Sequence, residues 1–202
     1  MADKYRNFEA LSRHEKVGSD FRILVRRAKG TFAIVAPHGG GIEAGTSDIA
    51  DAIAGEDFSF YAFEGLKKKT GNTDLHITST RFDEPMCLAL LGVSDVIITI
   101  HGEHTDVDGE GVFLGGLDDD LGGRLGEALE GEGFEVRRHP DRRLQGLEHE
   151  NICNRGASGE GVQFELSRTV RKTLFSSLTR DGLKSKTDRF DAFVAAIRGV
   201  LV

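Results

Sequence analysis

Residues 31–43 have the sequence Thr-Phe-Ala-Ile-Val-Ala-Pro-His-Gly-Gly-Gly-Ile-Glu, an apolar run followed by a glycine-rich segment with two polar side chains. The run Thr31–Ala36 has the length and composition of a buried β-strand. His38 and Glu43 follow it, separated by residues that include three glycines. Glycine allows tight backbone turns, so the two side chains can reach one ion. Imidazole and carboxylate are both ligands that zinc accepts.

Two other interpretations of this segment stay open. It can be a glycine-rich turn before a helix, with His38 simply hydrogen-bonded. It can also be a phosphate-binding loop, although the Lys-Ser/Thr pair that such loops carry after their glycines is missing from the sequence here.

The rest of the chain alternates strand-like and helix-like patterns. Further strands are predicted at Phe21–Arg26, Phe58–Phe63, Asp74–Ile77, Val96–Ile100, Gly111–Leu114, Phe134–Arg138 and Gly161–Leu166. One helix is predicted to begin near Thr46 or Ser47, with Ser47 as a good N-cap, and others over Glu84–Leu91, Asp118–Glu130, Arg168–Leu174 and Arg189–Leu201. This alternation predicts an α/β fold with a mostly parallel mixed sheet flanked by helices, in one domain over residues 1–202.

Ligand sites in such sheets lie beyond the carboxyl ends of the strands. The sequence Ile-His-Gly-Glu-His at residues 100–104 follows the strand Val96–Ile100. His101 comes first after the strand, so it is a better candidate for a third ligand than His104. An isolated surface pair of histidines is the alternative. The acidic residues that follow lack the full pattern of a calcium-binding loop.

Two more segments carry polar groups that suit catalysis. Glu165 closes the apolar strand Gly161–Leu166, and a carboxylate beside a metal-activated water is the usual proton acceptor. Alternation along the strand also fits a solvent-exposed Gln163 and Glu165. The pair Asn154-Arg155 offers a guanidinium fork that matches a carboxylate, although most loop arginines form surface ion pairs.

The composition limits the possible functions. The 202 residues carry a net charge of −7, which argues against a nucleic-acid-binding protein. Cys87 and Cys153 suggest free thiols, and no apolar stretch reaches the length of a membrane-spanning helix. Residues 1–20 lack the apolar core of a signal peptide, so we expect a monomer in the cytoplasm or released by lysis, without a membrane partner.

Five strings of the sequence resemble the phage-type poly-γ-glutamate hydrolases, a group related in fold to the zinc carboxypeptidases. They are PHGGGIEAGTSDIA, FYAFEG, LHITSTRFDEP, IHGEHTDVDGEGVFLGG and NICNRGASGEGVQFELSR, and the resemblance covers roughly residues 15–175. It implies zinc bound by His38, Glu43 and His101, with Glu165 as the catalytic carboxylate. The His-x4-Glu spacing departs from the His-x2-Glu of the peptidases.

The resemblance also implies the substrate and the reaction. The substrate is poly-γ-glutamate or a related γ-glutamyl compound, and Asn154-Arg155 looks like the substrate-carboxylate site of the carboxypeptidases. We expect Arg155 to bind the substrate, with Arg81 as the second choice. A polyanionic substrate needs a local cationic cleft on this acidic protein. The alternatives are a zinc amidase acting on a small acyl-amino acid, a non-catalytic metal- or polymer-binding module, and a glycosidase with paired carboxylates.

Overall fold

A computed structural model describes residues 3–68, 71–103 and 110–202. Within them the chain forms a seven-stranded sheet in the order β1-β3-β2-β4-β7-β5-β6. The strands are β1 (Phe21–Arg26), β2 (Phe32–Gly40), β3 (Ser59–Gly65), β4 (Val96–Gly102), β5 (Val112–Gly116), β6 (Val136–Arg137) and β7 (Val162–Leu166). Four of the six described pairings are parallel, and β1–β3 and β5–β7 are antiparallel. The predicted α/β class with a mostly parallel mixed sheet is confirmed.

Helices cover both faces of this sheet. They are α1 (Phe8–Ser12), α2 (Thr46–Ala54), α3 (Pro85–Leu91), α4 (Asp119–Gly131), α5 (Arg168–Leu174) and α6 (Asp188–Leu201). On one face α2, α4 and α6 pack on the sheet around Ile34, Ile98 and Phe164. On the other face α1, α3 and the segment after β3 cover Val35, Phe63 and Ile97. No helix in the described residues is both long and apolar enough to cross a membrane.

Two local predictions are wrong. The segment Asp74–Ile77 is not the predicted strand, because its first two residues belong to a 3₁₀ helix at Asn72–Leu75. Ser47 is not the N-cap of α2, because Gly45 holds that position in a left-handed conformation and Ser47 lies inside the helix. That one domain extends over all of residues 1–202 stays a prediction.

Strand order explains where a site can form. The chain passes from β2 through α2 to β3 on one side of β2, and then returns to β4 on the other side. This reversal leaves a crevice beyond the carboxyl ends of β2 and β4, which is where open α/β sheets bind ligands. β7 lies next to β4 and parallel to it, so its carboxyl end meets the same crevice.

Candidate metal centre

A β-bulge in β2 brings His38 to the site. Ile34 and Ala36 pack in the core on one face of the sheet, and simple alternation would place His38 on that face as well. The register shifts between Ala36 and Gly39, and the His38 ring instead lies against Phe82 and His101. Bulges commonly redirect a side chain beside a functional site.

The glycine-rich loop then returns the chain so that Glu43 reaches His38. The Glu43 amide donates to the His38 carbonyl at 2.8 Å. A Cβ at Gly39 would lie 1.9 Å from the Ser47 hydroxyl oxygen, and one at Gly41 would lie 2.4 Å from the amide nitrogen of Asn72. Larger residues would therefore push the loop away from α2 and from the segment after β3.

His38, Glu43 and His101 face one another with little solvent contact. His38 Nδ1 lies 3.1 Å from Glu43 Oε1 and 3.1 Å from His101 Nδ1, and His101 Nδ1 lies 3.8 Å from Glu43 Oε2. Ligand atoms bound tetrahedrally to one zinc ion at 2.0–2.1 Å lie about 3.4 Å apart. The three side chains therefore have the chemistry and the spacing of a metal site.

Hydrogen bonds orient both imidazoles. His38 Nε2 donates to the Ile77 carbonyl at 2.9 Å, which leaves Nδ1 as the nitrogen that faces Glu43 and His101. His101 Nε2 lies 3.3 Å from the Ser79 hydroxyl, and Glu43 Oε2 accepts from the Gly102 amide at 2.8 Å. Partners of this kind hold metal-binding side chains in position.

The charges of the site depend on one another. Burial and the nearby His38 lower the pKa of His101 to about 3, so His101 is neutral with a free lone pair. Burial raises the pKa of Glu43, but the charge of His38 outweighs it and lowers the pKa to about 2. Burial lowers the pKa of His38, but the Glu43 carboxylate more than reverses this, so the pKa of His38 is raised above its usual value.

Glu165 lies beside His101 on the neighbouring strand. The two residues are register partners of β4 and β7, and Glu165 is only 7% exposed, so it does not occupy a solvent-facing position. Gln163 Nε2 donates to Glu165 Oε1 at 3.1 Å. Burial, followed by the negative charges of Glu43 and Glu103, raises the pKa of Glu165 well above its usual value. A bound cation would oppose that rise.

A buried arginine joins the three strand ends. The Arg171 guanidinium donates to the carbonyls of Leu166 at 3.3 Å and Ala44 at 2.9 Å, and to that of Glu103. These carbonyls belong to residues next to, or near, Glu165, Glu43 and His101. A Cβ at Gly102 would lie 2.6 Å from the guanidinium, which explains the glycine after His101.

The predicted substrate-binding residues have different surroundings. Arg155 is exposed, its side chain forms no hydrogen bond or ion pair with the described residues, and it lines an open cleft of about 420 Å³ with Thr80, His149 and Glu150. Arg81 instead pairs with Asp3 at 2.6 Å. Thr80, which lines this cleft, follows Ser79 in the chain, and the Ser79 hydroxyl contacts His101.

Asn154 uses its side-chain amide to hold the loop before Arg155. Its Nδ2 donates to the carbonyls of Gly146 at 2.7 Å and Glu148 at 2.9 Å, and its Oδ1 accepts from the Leu117 amide at 3.2 Å. Both donors are therefore engaged within the protein. Direct binding of substrate by Asn154 stays a prediction that these contacts do not favour.

Two further side chains, His76 and Glu103, lie near the metal-site residues and have no role predicted from the sequence. His76 stacks on His38, with ring centroids 4.0 Å apart, and single ligand atoms of His38, Glu43 and His76 lie within 4.8 Å of one another. Glu103 pairs with buried His139 at 3.0 Å. Position within the string LHITSTRFDEP was the only signal for His76. His104 lies outside the described residues.

Comparisons with known proteins agree with this picture. A family profile described as poly-gamma-glutamate hydrolase matches residues 5–196. The solved structure of a bacteriophage poly-gamma-glutamate hydrolase superposes with a TM-score of 0.93 at 33% identity, covering 98% of this chain and 96% of the other. A zinc-free apo structure of YndL superposes with a TM-score of 0.91 at 35% identity, covering 99% and 98%.

A relative identified by sequence is longer than this chain. The SPbeta prophage-derived protein YoqZ of Bacillus subtilis (strain 168) is 39% identical over 187 residues. The match covers 90% of this chain and 65% of YoqZ, so the chain spans about two thirds of that relative's length.

Proposed function

The chain belongs to the poly-γ-glutamate hydrolase family, and we propose that it hydrolyses the γ-glutamyl amide bonds of poly-γ-glutamate with the help of a bound zinc ion. The observation that carries the proposal is the approach of His38 Nδ1, the Glu43 carboxylate and His101 Nδ1 to within 3.1–3.8 Å, beside the buried Glu165. These three side chains would hold the metal.

The donor set supports zinc in particular. Two imidazoles and one carboxylate are a usual protein ligand set for catalytic zinc. The Nδ1 atoms of His38 and His101 face each other, and each ring has a hydrogen-bonding partner at Nε2. A proton or a cation is needed between the two Nδ1 atoms, because two lone pairs that face each other repel. When bound, the metal polarises the scissile carbonyl and makes water a better nucleophile.

Glu165 supplies the proton transfer in this mechanism. Its carboxylate takes a proton from the attacking water as the new C–O bond forms, and then delivers that proton to the leaving amine as the C–N bond breaks. Its position next to His101 supports this role, because water and substrate must approach the ligands from the crevice. Gln163 holds the carboxylate through Oε1, which leaves Oε2 for the water.

Arg155 recognises the polymer. Each glutamate of the substrate carries a free α-carboxylate, which a guanidinium binds through two parallel hydrogen bonds. Arg155 has no competing ion pair among the described residues, whereas Arg81 is already bound to Asp3. We therefore assign substrate binding to Arg155, and assign Asn154 to fixing the loop that carries it.

The experiment is incubation of the purified protein with poly-γ-glutamate, with and without a chelator, while the chain length of the polymer is measured. We expect shortening that stops with the chelator and returns with added zinc. Poly-α-glutamate is the matched control substrate, because it has the same charge but a different amide linkage. An unchanged γ-polymer in the presence of zinc would contradict the proposal. The cellular location of the protein and its monomeric state stay predictions.

A further inference from the structure

A chain of buried side-chain amides leads from the loop before Arg155 to Glu165. Asn151 Nδ2 donates to Gln163 Oε1 at 2.9 Å, and Gln163 Nε2 donates to Glu165 Oε1 at 3.1 Å. The exposed fractions of these three residues are 5%, 3% and 7%, so little water competes for the bonds between them. The proposed mechanism gives Asn151 no role.

Two backbone groups fix the direction in which this chain of amides donates. The Cys153 amide donates to Asn151 Oδ1 at 3.1 Å, so the other atom of that side-chain amide is the nitrogen. At the far end, Gln163 Nε2 donates to the Leu144 carbonyl at 3.0 Å, which only a nitrogen can do. The oxygen of Gln163 therefore faces Asn151, and its nitrogen faces Glu165.

The surroundings of Gln163 oppose rotation of its amide by half a turn. The rotated group would place its oxygen against the Leu144 carbonyl and the Glu165 carboxylate, where the lone pairs repel. It would also place its own N–H groups against the donor nitrogen of Asn151. Gly146 packs against the same amide, since a Cβ at Gly146 would lie 3.0 Å from Gln163 Oε1 and 3.1 Å from its Cδ. One orientation of the Gln163 amide is therefore favoured.

We propose that Asn151 is a positioning residue for Glu165 and that it acts through Gln163. With Asn151 in place, the nitrogen of Gln163 meets Glu165 Oε1, so the proton from the attacking water goes to Oε2. Without Asn151, the Gln163 oxygen is left buried and without a donor, which costs free energy, and the amide shifts away from Glu165 to find one. The inference rests on the proposed function, because it concerns the base of that reaction.

The test compares Asn151→Ser with Asn154→Ser on poly-γ-glutamate in the zinc-loaded protein. Serine can still accept from the Cys153 amide as a cap, but it is too short to reach Gln163. We expect kcat to fall ~10–100-fold in Asn151→Ser while KM stays nearly unchanged, because misplacement of a reacting group acts on the chemical step. Asn154→Ser removes an equally buried amide from the same loop, and it should raise KM through Arg155 instead.

A double-mutant cycle separates positioning of the base from a purely structural role. Because Asn151 acts through Glu165, adding Asn151→Ser to Glu165→Gln should cause less than a ~2-fold further loss of kcat. A structural role predicts the full loss in both backgrounds, and that result would overturn the inference. Gln163→Met interrupts the same chain of amides with a side chain of similar length, so it provides the same kcat test if Asn151→Ser does not fold.

A second readout needs no metal. In a heteronuclear NMR spectrum of the zinc-free protein, the side-chain amide signals of Gln163 are those that disappear in Gln163→Met, and they should shift in Asn151→Ser. Wild-type kcat in Asn151→Ser or in Gln163→Met, with activity lost in Glu165→Gln, would overturn the inference and leave the proposed function intact. No shortening of the polymer by the zinc-loaded wild-type protein would overturn both.

Discussion

The Nδ1 atoms of His38 and His101 face each other at 3.1 Å, although the two residues are 63 positions apart in the chain. Each ring is held at its other nitrogen, by the Ile77 carbonyl and by the Ser79 hydroxyl respectively. The two rings meet because the neighbouring parallel strands β2 and β4 end at this point.

Removal of either imidazole should abolish metal binding. We expect the purified chain to contain one zinc ion, and His38→Ala or His101→Ala to lower zinc affinity by more than ~100-fold, the upper limit for residues that merely support a ligand. Elemental analysis after dialysis provides the measurement, with His14→Ala as the exposed control. Full zinc content in both ligand variants would show that the metal binds elsewhere.

Glu165→Gln should separate catalysis from binding. Glutamine has nearly the same size and keeps a hydrogen-bonding group, but it cannot accept a proton near neutral pH. Loss of a general base is worth ~10²–10⁴ in rate, so kcat on poly-γ-glutamate should fall by that factor while zinc content stays the same. Polymer affinity should hold or improve, because one negative charge has left the crevice. Normal turnover with zinc present would mean that another group is the base.

Arg155→Lys should weaken substrate binding even though the side chain keeps its positive charge. Lysine cannot form the two parallel hydrogen bonds of a guanidinium, and loss of one such bond to a charged group, about 1.5 kcal/mol, raises KM about 10-fold. Activity of the wild-type protein should also fall with added salt, which screens exposed charges. Arg124→Lys, at an exposed position of α4, is the control. Equal KM values for the two variants would remove Arg155 from the site.

Arg171→Lys should destabilise the fold and loosen the metal centre. Lysine cannot reach all three carbonyls of Ala44, Glu103 and Leu166 at once. Each carbonyl left buried without a partner costs about 1–3 kcal/mol. Urea unfolding should show this loss of stability, together with weaker zinc binding, while Arg168→Lys on the exposed side of α5 stays close to wild type. Similar unfolding midpoints for the two variants would contradict the proposed clamp.

Glu15 should make the stability of the N-terminal segment depend on acid pH. Burial raises its pKa, but hydrogen bonds from Lys67 and Tyr5, both at 2.7 Å, outweigh burial and lower it below the usual 4.5. A lowered pKa in the folded state stabilises the protein above pH ~4.5, and this contribution disappears as the pH falls through the folded-state value.

The measurement is the free energy of unfolding of wild type and Glu15→Gln at pH 7 and at pH 3. We expect Glu15→Gln to be less stable at pH 7, and the gap between the two proteins to shrink at pH 3. Glu9→Gln, at an exposed position of α1, should track wild type at both values. An equal gap at both pH values would show that the charge of Glu15 does not stabilise the fold.

Most of the strands and helices, and the α/β class that they form, could be predicted from the sequence alone. Runs such as Phe21–Arg26 and Val96–Ile100 indicate strands because aromatic and β-branched side chains pack well on the pleated surface of a sheet. The strings around His38, His101 and Glu165 determined the family. These features are local, so they can be found along the chain without knowledge of its three-dimensional contacts.

The assembly of the site depends on contacts that form only in the folded chain. The bulge after Ala36 reverses the face on which His38 lies, and sequence alternation alone points the other way. Glu165 is buried because β4 and β5 flank its strand. The alternation of polar and apolar residues along that strand fits an exposed position equally well. His76 acquires its orientation from Asp3, 73 positions earlier. Contacts between distant segments depend on how the whole chain packs, and neither periodicity nor spacing along the sequence encodes them.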